Sequence, residues 1–169
     1  MSEKLPDVVF KCRENGEWVD KSTIDLFLGK KVILFSLPGA FTPTCTNYQL
    51  PGFDQHYDRF KEAGIDEIYC VSVNDTFVMN AWAEHLGIKN VKMIPDGNGD
   101  FTRRLGMLVK KEDVGFGMRS WRYAAIVKDG IIENVFVEDG RKDNNKTDPY
   151  EHTKPETLYT FITDITENK

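Results

Sequence analysis

The stretch "KKVILFSLPGAFTPTCTNYQLPGF", Lys30–Phe53, decides how the chain is read. Two lysines precede an apolar run, Val32–Leu37, that lacks the polar–apolar alternation of a half-exposed strand. It therefore fits a central strand covered on both faces. Pro38 and Gly39 end the run, and a Thr/Pro-rich segment carrying Cys45 leads into a helix expected from Thr44 to about Ala63. Pro51 is expected to kink that helix or split it in two. A strand that hands a lone cysteine to a helix start admits two readings: a small apolar residue in a crowded junction, or a reactive thiolate.

Outward from this stretch the pattern alternates. "RENGEWVD" predicts a hairpin turning on Asn15–Gly16, and "KSTIDLFLG" a short helical turn closed by Gly29. "IDEIYCVSVND" is a second central strand, with Asn74–Asp75 suited to cap a helix over "TFVMNAWAEHLG". A short strand, a Gly/Asn/Asp loop and a brief helix from near Asp100 follow in "VKMIPDGNGDFTRRLGM". "SWRYAAIV" and "IIENVFVE" form a hairpin, "RKDNNKTDPYEHTK" a polar loop, and "PETLYTFITDI" a terminal helix with Pro155 in its first turn. Parallel strands at the centre with an added antiparallel pair give an α/β, thioredoxin-like fold: a mixed central sheet flanked by helices, with an extra N-terminal hairpin. No repeat or long linker divides residues 1–169, so a single domain is expected.

A net charge of −5, with no basic stripe interleaved with aromatics, argues against nucleic acid and anionic membranes as partners. "MSEKLPDVVF" has no apolar signal-peptide core, and no run approaches the roughly 18 apolar residues of a membrane helix. Three cysteines, an odd number, make no disulfide framework, and reduced thiols in the cytoplasm are expected.

The spacing Pro38-x-x-x-Thr42-x-x-Cys45 gathers particular groups around one turn. In the first turn of a helix, unpaired amides and the dipole favour an anion, and a thiol pKa can fall from about 8.5 into the range of about 3.5–7.5. Thr42 offers a hydroxyl that accepts and donates, Pro38 a rigid wall without an N–H, and Gly39 a turn free of side-chain clash. A protease-like cysteine needs a histidine base. His56 is expected about three turns along the same helix, and His85 and His152 carry no supporting pattern, so all three read as surface residues. A thioredoxin-type pair needs a second cysteine, but positions 42 and 48 are Thr and Tyr. A chemistry needing only a thiolate, a hydroxyl and a cation remains: cleavage of a peroxide O–O bond. Arg119 and Arg122 are the cation candidates, with Arg122 favoured because it opens a strand, although spacing alone reads either as a surface ion pair.

"PGAFTPTC", "VSVNDTFVMNAW", "IPDGNGDFTRRLGML" and "GFGMRSWRYAAIVKDG" together strongly resemble the peroxiredoxins. The likeness is to the type II or peroxiredoxin-5-like group, and most of all to the peroxiredoxin module of bacterial hybrid peroxiredoxin–glutaredoxin proteins. It runs from about Val8 to Phe136 and weakly into the terminal helix, and no glutaredoxin module is expected to follow. The resemblance implies that Cys45 is the peroxidatic cysteine, that Thr42 hydrogen-bonds thiolate and peroxide, that Pro38 shields the sulfur, and that Arg122 stabilises the anion. The amides of Cys45 and Thr44 would bind substrate oxygens, with Gly39 and Phe41 also lining the substrate site. It implies reduction of hydrogen peroxide and alkyl hydroperoxides without metal, haem or flavin, in antioxidant defence and redox homeostasis. A symmetric homodimer is implied too, with Phe41, Phe77 and Phe116 as a shared apolar rim.

The departure from the family lies in recycling. Relatives carrying a resolving cysteine have it around the loop that here reads "RKDNNKTDPYEH", which has none. Cys70 in "IYCVSV" and Cys12, two residues after Phe10, both read as packing residues. A one-cysteine cycle is expected, with an external thiol, glutathione helped by glutaredoxin, or thioredoxin, as reductant. An alternative is a peroxide sensor that passes oxidation from Cys45 to a partner protein. "DGNGDF" from Asp96 fails as a calcium loop, having Phe101 and Met107 where Gly and Glu are needed, and "GFG" at Gly115–Gly117 reads as a turn.

Overall fold

In the computed structural model, which describes residues 3–167 and side chains as far as Asp164, the elements follow from local chemistry. A two-residue strand β1 (Glu3–Lys4) precedes β2 (Val9–Glu14) and β3 (Glu17–Ser22). The β2–β3 hairpin turns on Asn15 (φ 52°) and Gly16 (φ 78°), the two left-handed positions that its two-residue loop requires. Ser22 and Asp25 form a reciprocal capping box at α1 (Thr23–Phe27). Beyond it, β4 (Lys31–Ser36) is buried from Val32 onward.

The helix that follows breaks elsewhere than expected. It opens at Pro43 and winds as a π-helical turn over Cys45–Gln49, where the Leu50 amide donates to the Cys45 carbonyl. It continues as α2 (Leu50–Gln55) and α3 (Tyr57–Glu62), and the break falls at His56 (φ −94°, ψ 7°) rather than at Pro51. Pro51 sits in the first turn of α2. A proline has no N–H for the carbonyl four residues back, and the wider winding just before it carries the helix past that gap.

β5 (Glu67–Ser72) leads to α4 (Thr76–His85), capped by the Asp75 carboxylate accepting from the Val78 amide. Next come β6 (Lys92–Pro95), α5 (Asp100–Arg104) and a second hairpin not expected from the sequence, β7 (Leu108–Lys111) with β8 (Gly117–Ser120). Gly115 between the strands and Gly117 at the start of β8 turn with positive φ, as the "GFG" reading expected. β9 (Tyr123–Lys128) and β10 (Ile131–Val137) form the late hairpin, and α6 (Pro155–Glu167) closes the described chain.

One six-stranded sheet runs β1-β10-β9-β4-β5-β6, parallel from β4 to β6 and antiparallel from β4 to β1. This is the thioredoxin-like α/β fold, with β2–β3 as a separate added hairpin. The strand period divides β4 between two cores. Ile33 and Phe35 pack with Phe53, Phe60, Trp82 and Leu158, while Val32 and Leu34 pack with Phe10, Phe27 and Phe101. Each such side chain contributes roughly 1.5–3 kcal/mol by burial, and the buried Ser36 at the strand's end satisfies its hydroxyl by donating to the Val71 carbonyl at 2.7 Å.

Register places the site. Ser36 at the end of β4 pairs with Tyr123 at the start of β9 and with Val71 on β5. The chain leaving β4, the residue before β9 and the residues after β5 therefore meet at one end of the sheet. These are Pro38–Cys45, Arg122 and Val73–Asn74. No helix among the described residues is long and apolar enough to cross a membrane.

Candidate active site

The loop leaving β4 is pinned before it reaches the cysteine. The Ala40 amide and the Ser72 hydroxyl both donate to Asn74 Oδ1, at 3.0 and 2.6 Å, tying the loop to the end of β5. Pro38 and Gly39 are buried. Gly39 does not have the positive φ of a turn glycine; a Cβ there would lie 3.0 Å from Arg119 Nη1, so close approach is what requires the missing side chain. Phe41 takes a left-handed conformation (φ 65°), which disfavours a non-glycine residue by roughly 1–2 kcal/mol. Its half-exposed ring lies against Trp82 and His85, with centroids 6.5 and 5.8 Å away.

The Thr42 carbonyl accepts from the Thr46 amide at 2.9 Å and so starts the helix, with Cys45 in its first turn. The Thr42 hydroxyl donates to the Gly39 carbonyl at 2.7 Å rather than to the sulfur. Thr44 is half-buried and makes no side-chain cap. Thr46 accepts from Trp82 Nε1 at 3.1 Å, which locks the helix onto α4.

Cys45 is fully buried, and Arg122 Nη1 donates to its Sγ at 3.4 Å. Arg122 is itself only 1% exposed, so its charge is held by protein groups. Nη1 also donates to Gln49 Oε1, and Nη2 to both oxygens of Asp148, at 2.9 and 2.7 Å. The Tyr150 ring centroid lies 5.7 Å from the guanidinium carbon. Burial works against the Arg122 charge, but Cys45 and Asp148 outweigh it and hold the guanidinium above its ordinary pKa. Burial in turn pushes the Tyr150 hydroxyl up, with the Glu156 charge adding to it.

Of the two arginines weighed from the sequence, only Arg122 has a hydrogen bond to the sulfur. Arg119 spends its donors on the carbonyls of Phe116 and Val73, at 3.1 and 3.2 Å, and burial lowers its pKa. Arg122 is the last residue before β9 rather than the first residue of a strand. The three phenylalanines expected to share a rim divide among separate contacts: Phe41 on Trp82, Phe77 edge-on to Trp18, Phe116 under Arg119.

Cys70 lies in β5 opposite Phe35, and burial raises its pKa well above the ordinary thiol value. Cys12, in β2, is buried and also raised, chiefly by burial. Both are free thiols. His56 pairs with Glu156 (3.3 Å) and His152 with Asp139 (3.1 Å), so both have carboxylate partners of their own. Gln49, Asp148 and Tyr150 were not foreseen. Gln49 follows Cys45 by four residues, a helical spacing that sequence could have offered; Asp148 and Tyr150 come from a loop with no periodicity to mark them.

The redoxin family model matches residues 1–151. A peroxiredoxin of Rhizobium etli is 54% identical over 167 residues, covering 94% of this chain and 93% of its own. This chain belongs to the peroxiredoxins. Among solved structures, a Plasmodium falciparum antioxidant protein described as a 1-Cys peroxiredoxin superposes with a TM-score of 0.93 at 38% identity, over 96% of this chain and 98% of that one. Reduced Prx3 of Vibrio vulnificus, in complex with H2O2, superposes with a TM-score of 0.88 at 36% identity, over 98% and 96%. As a peroxiredoxin, the protein is a thiol peroxidase that reduces peroxides through a peroxidatic cysteine and takes its electrons from a thiol reductant.

Proposed function

We propose that Cys45 is the peroxidatic cysteine, and the observation that carries this is the buried Arg122 guanidinium 3.4 Å from its sulfur. The Cys45 thiolate attacks one oxygen of a hydroperoxide as the O–O bond breaks. The other oxygen leaves with the bond pair, takes a proton, and departs as water or alcohol, and Cys45 becomes a sulfenic acid. Arg122 stabilises the thiolate and the negative charge that develops on the leaving oxygen, in a water-poor site where such a cation acts strongly. Pro38 walls the sulfur. Thr42 moves its hydroxyl from the Gly39 carbonyl to the incoming peroxide, while the amides of Cys45 and Thr44 bind substrate oxygens beside Gly39 and Phe41.

The second half-reaction uses an external thiol, as a one-cysteine enzyme must. One thiol displaces the sulfenic hydroxyl as water and forms a mixed disulfide on Cys45; a second releases the Cys45 thiol and leaves as the oxidised disulfide. Glutathione, with glutaredoxin, fits this role, and the relative described as a 1-Cys peroxiredoxin favours the scheme. Cys12 and Cys70 are strand-bound, buried and raised in pKa, all of which suit packing rather than exchange. The motifs favour the type II, peroxiredoxin-5-like group in its hybrid-related form, folded as one domain over residues 1–169, acting in the cytoplasm as a homodimer.

A reductant panel tests the reading. Peroxide consumption is followed with glutathione, glutathione plus glutaredoxin, and thioredoxin, with Cys45→Ser as the blank. Sustained turnover with the glutathione system and none in the blank is expected; turnover in the blank, or turnover with thioredoxin alone, would overturn it. Sedimentation at working concentration should give a dimer of the 19.4 kDa chain, and a strict monomer would remove that part of the reading.

A further inference from the structure

The loop between β10 and α6 is fastened at both ends. Near its start, Asp143 Oδ1 accepts from the Lys110 amide (2.9 Å) and the Asn144 amide donates to the Lys110 carbonyl (2.7 Å). Asn144 Oδ1 accepts from the amides of Glu112 and Asp113. Near its end, the buried Glu138 carboxylate accepts from the amides of Glu151, His152 and Thr153 and from the Thr153 hydroxyl at 2.7 Å. Between these anchors Asp148 reaches Arg122, and Pro149 behind it biases its backbone toward an extended conformation.

We propose that Asp148 is a positioning residue that aims Arg122 at Cys45, and that the loop from Asp139 to Lys154 is the strap presenting it. The proposal rests on the reading of Cys45 as the nucleophile. A guanidinium is planar with donors in a fixed fork, so securing one nitrogen sets the direction of the others. Both Asp148 oxygens take Nη2, and Nη1 is thereby delivered to the sulfur and to Gln49. Among the described residues Arg122 Nε is buried with no hydrogen-bond partner, so no bond at that end orients the group. Gln49 belongs to the π-helical turn that begins at Cys45 and moves with it. Among the described residues, Asp148 is the hydrogen-bond partner that holds the guanidinium nitrogens from outside that turn, beside the Tyr150 ring. Its side chain is 42% exposed while that of Arg122 is 1% exposed, so solvent screens the carboxylate more than the cation, and the charge facing the sulfur is not cancelled. Tyr150 over the guanidinium and Cys70 across the core are the other titratable groups that bear on this pair.

The test uses the full chain carrying Cys12→Ala and Cys70→Ala, so that Cys45 is its single thiol. Two reactions of Cys45 are timed: oxidation by hydrogen peroxide in rapid mixing, and alkylation by iodoacetamide across pH. Alkylation reads the thiolate but breaks no O–O bond, so it does not need a cation at a leaving oxygen. Asp148→Ala is expected to slow peroxide oxidation by about tenfold or more, the scale of a misplaced catalytic group. It should also move the alkylation midpoint to higher pH as the guanidinium leaves the sulfur. Asp148→Glu restores both, since it can offer the same two oxygens; a thermal melt of each variant identifies any that fails to fold, and Asp148→Asn, which keeps the side-chain size but removes the charge, then stands in for Asp148→Ala with the same expected losses. In Asp148→Ala or Asp148→Asn, a peroxide rate equal to the parent's, or a fall that leaves the alkylation midpoint unmoved, would overturn the assignment. Peroxide consumption persisting in Cys45→Ser would instead overturn the reading beneath it.

Discussion

At Arg122, charge and shape can be separated. The residue divides two terminal nitrogens among Cys45, Gln49 and Asp148, and a lysine could supply the charge but not that fork. Arg122→Lys should therefore slow the reaction of Cys45 with peroxide by about 10²–10³-fold, the cost of losing one preorganised charge donor. Stopped-flow oxidation of the reduced protein measures it, and an unchanged rate would mean that charge alone suffices. His152 gives a second residue-level test. Its hydrogen bond to Asp139, helped by the surrounding carboxylates, raises its pKa above the ordinary 6.5. The folded state thus favours the protonated ring: the contribution is fully present below the unfolded value and disappears as pH rises through the folded one. An NMR titration should give a His152 midpoint above 6.5 that falls in Asp139→Asn; an identical midpoint in the two proteins would exclude the pairing in solution.

At the scale of elements, the strands were the most legible part. Val32–Leu37 carries one serine, Ser36, and "IYCVSV" one, Ser72, too few to give either strand a solvent face, so the parallel centre followed from composition. The turn chemistry of Asn15–Gly16 and the Asp75 cap were readable for the same local reason. What escaped was anything decided by register or by a distant partner. The β7–β8 hairpin is short and carries lysine and arginine on its strands, so no alternation marks it. The break at His56 was masked by Pro51, whose cost is absorbed by the π winding before it. Gly52 depends on a distant partner too: a Cβ there would meet Pro155 Cγ at 3.1 Å, at the start of α6. Alanine would gain about 1 kcal/mol of helix propensity. Against that, crowding a rigid ring costs about 1–3 kcal/mol. Gly52→Ala should come out destabilised by about 1 kcal/mol, seen as a lower urea midpoint at unchanged slope. A raised midpoint would show that α2 and α6 separate freely.

Across the whole molecule, the sheet order assembles the site from segments far apart in sequence. Pro38, Thr42 and Cys45 were visible together because they share one turn, while the pairing of Ser36 with Tyr123 is what brings Arg122 beside them. Asp148, further along, had no signal short of the fold itself. The same architecture keeps the other two thiols in strands: Cys70 in the sheet and Cys12 in the added hairpin, both buried. The central claim is that one cysteine attacks the peroxide and that its reductant comes from outside. The most direct measurement is steady-state peroxide consumption, with glutathione and glutaredoxin, by two proteins side by side. The double variant Cys12→Ala/Cys70→Ala is expected to keep most of the parent's turnover while Cys45→Ser has none; a silent double variant, or an active Cys45→Ser, would contradict the account.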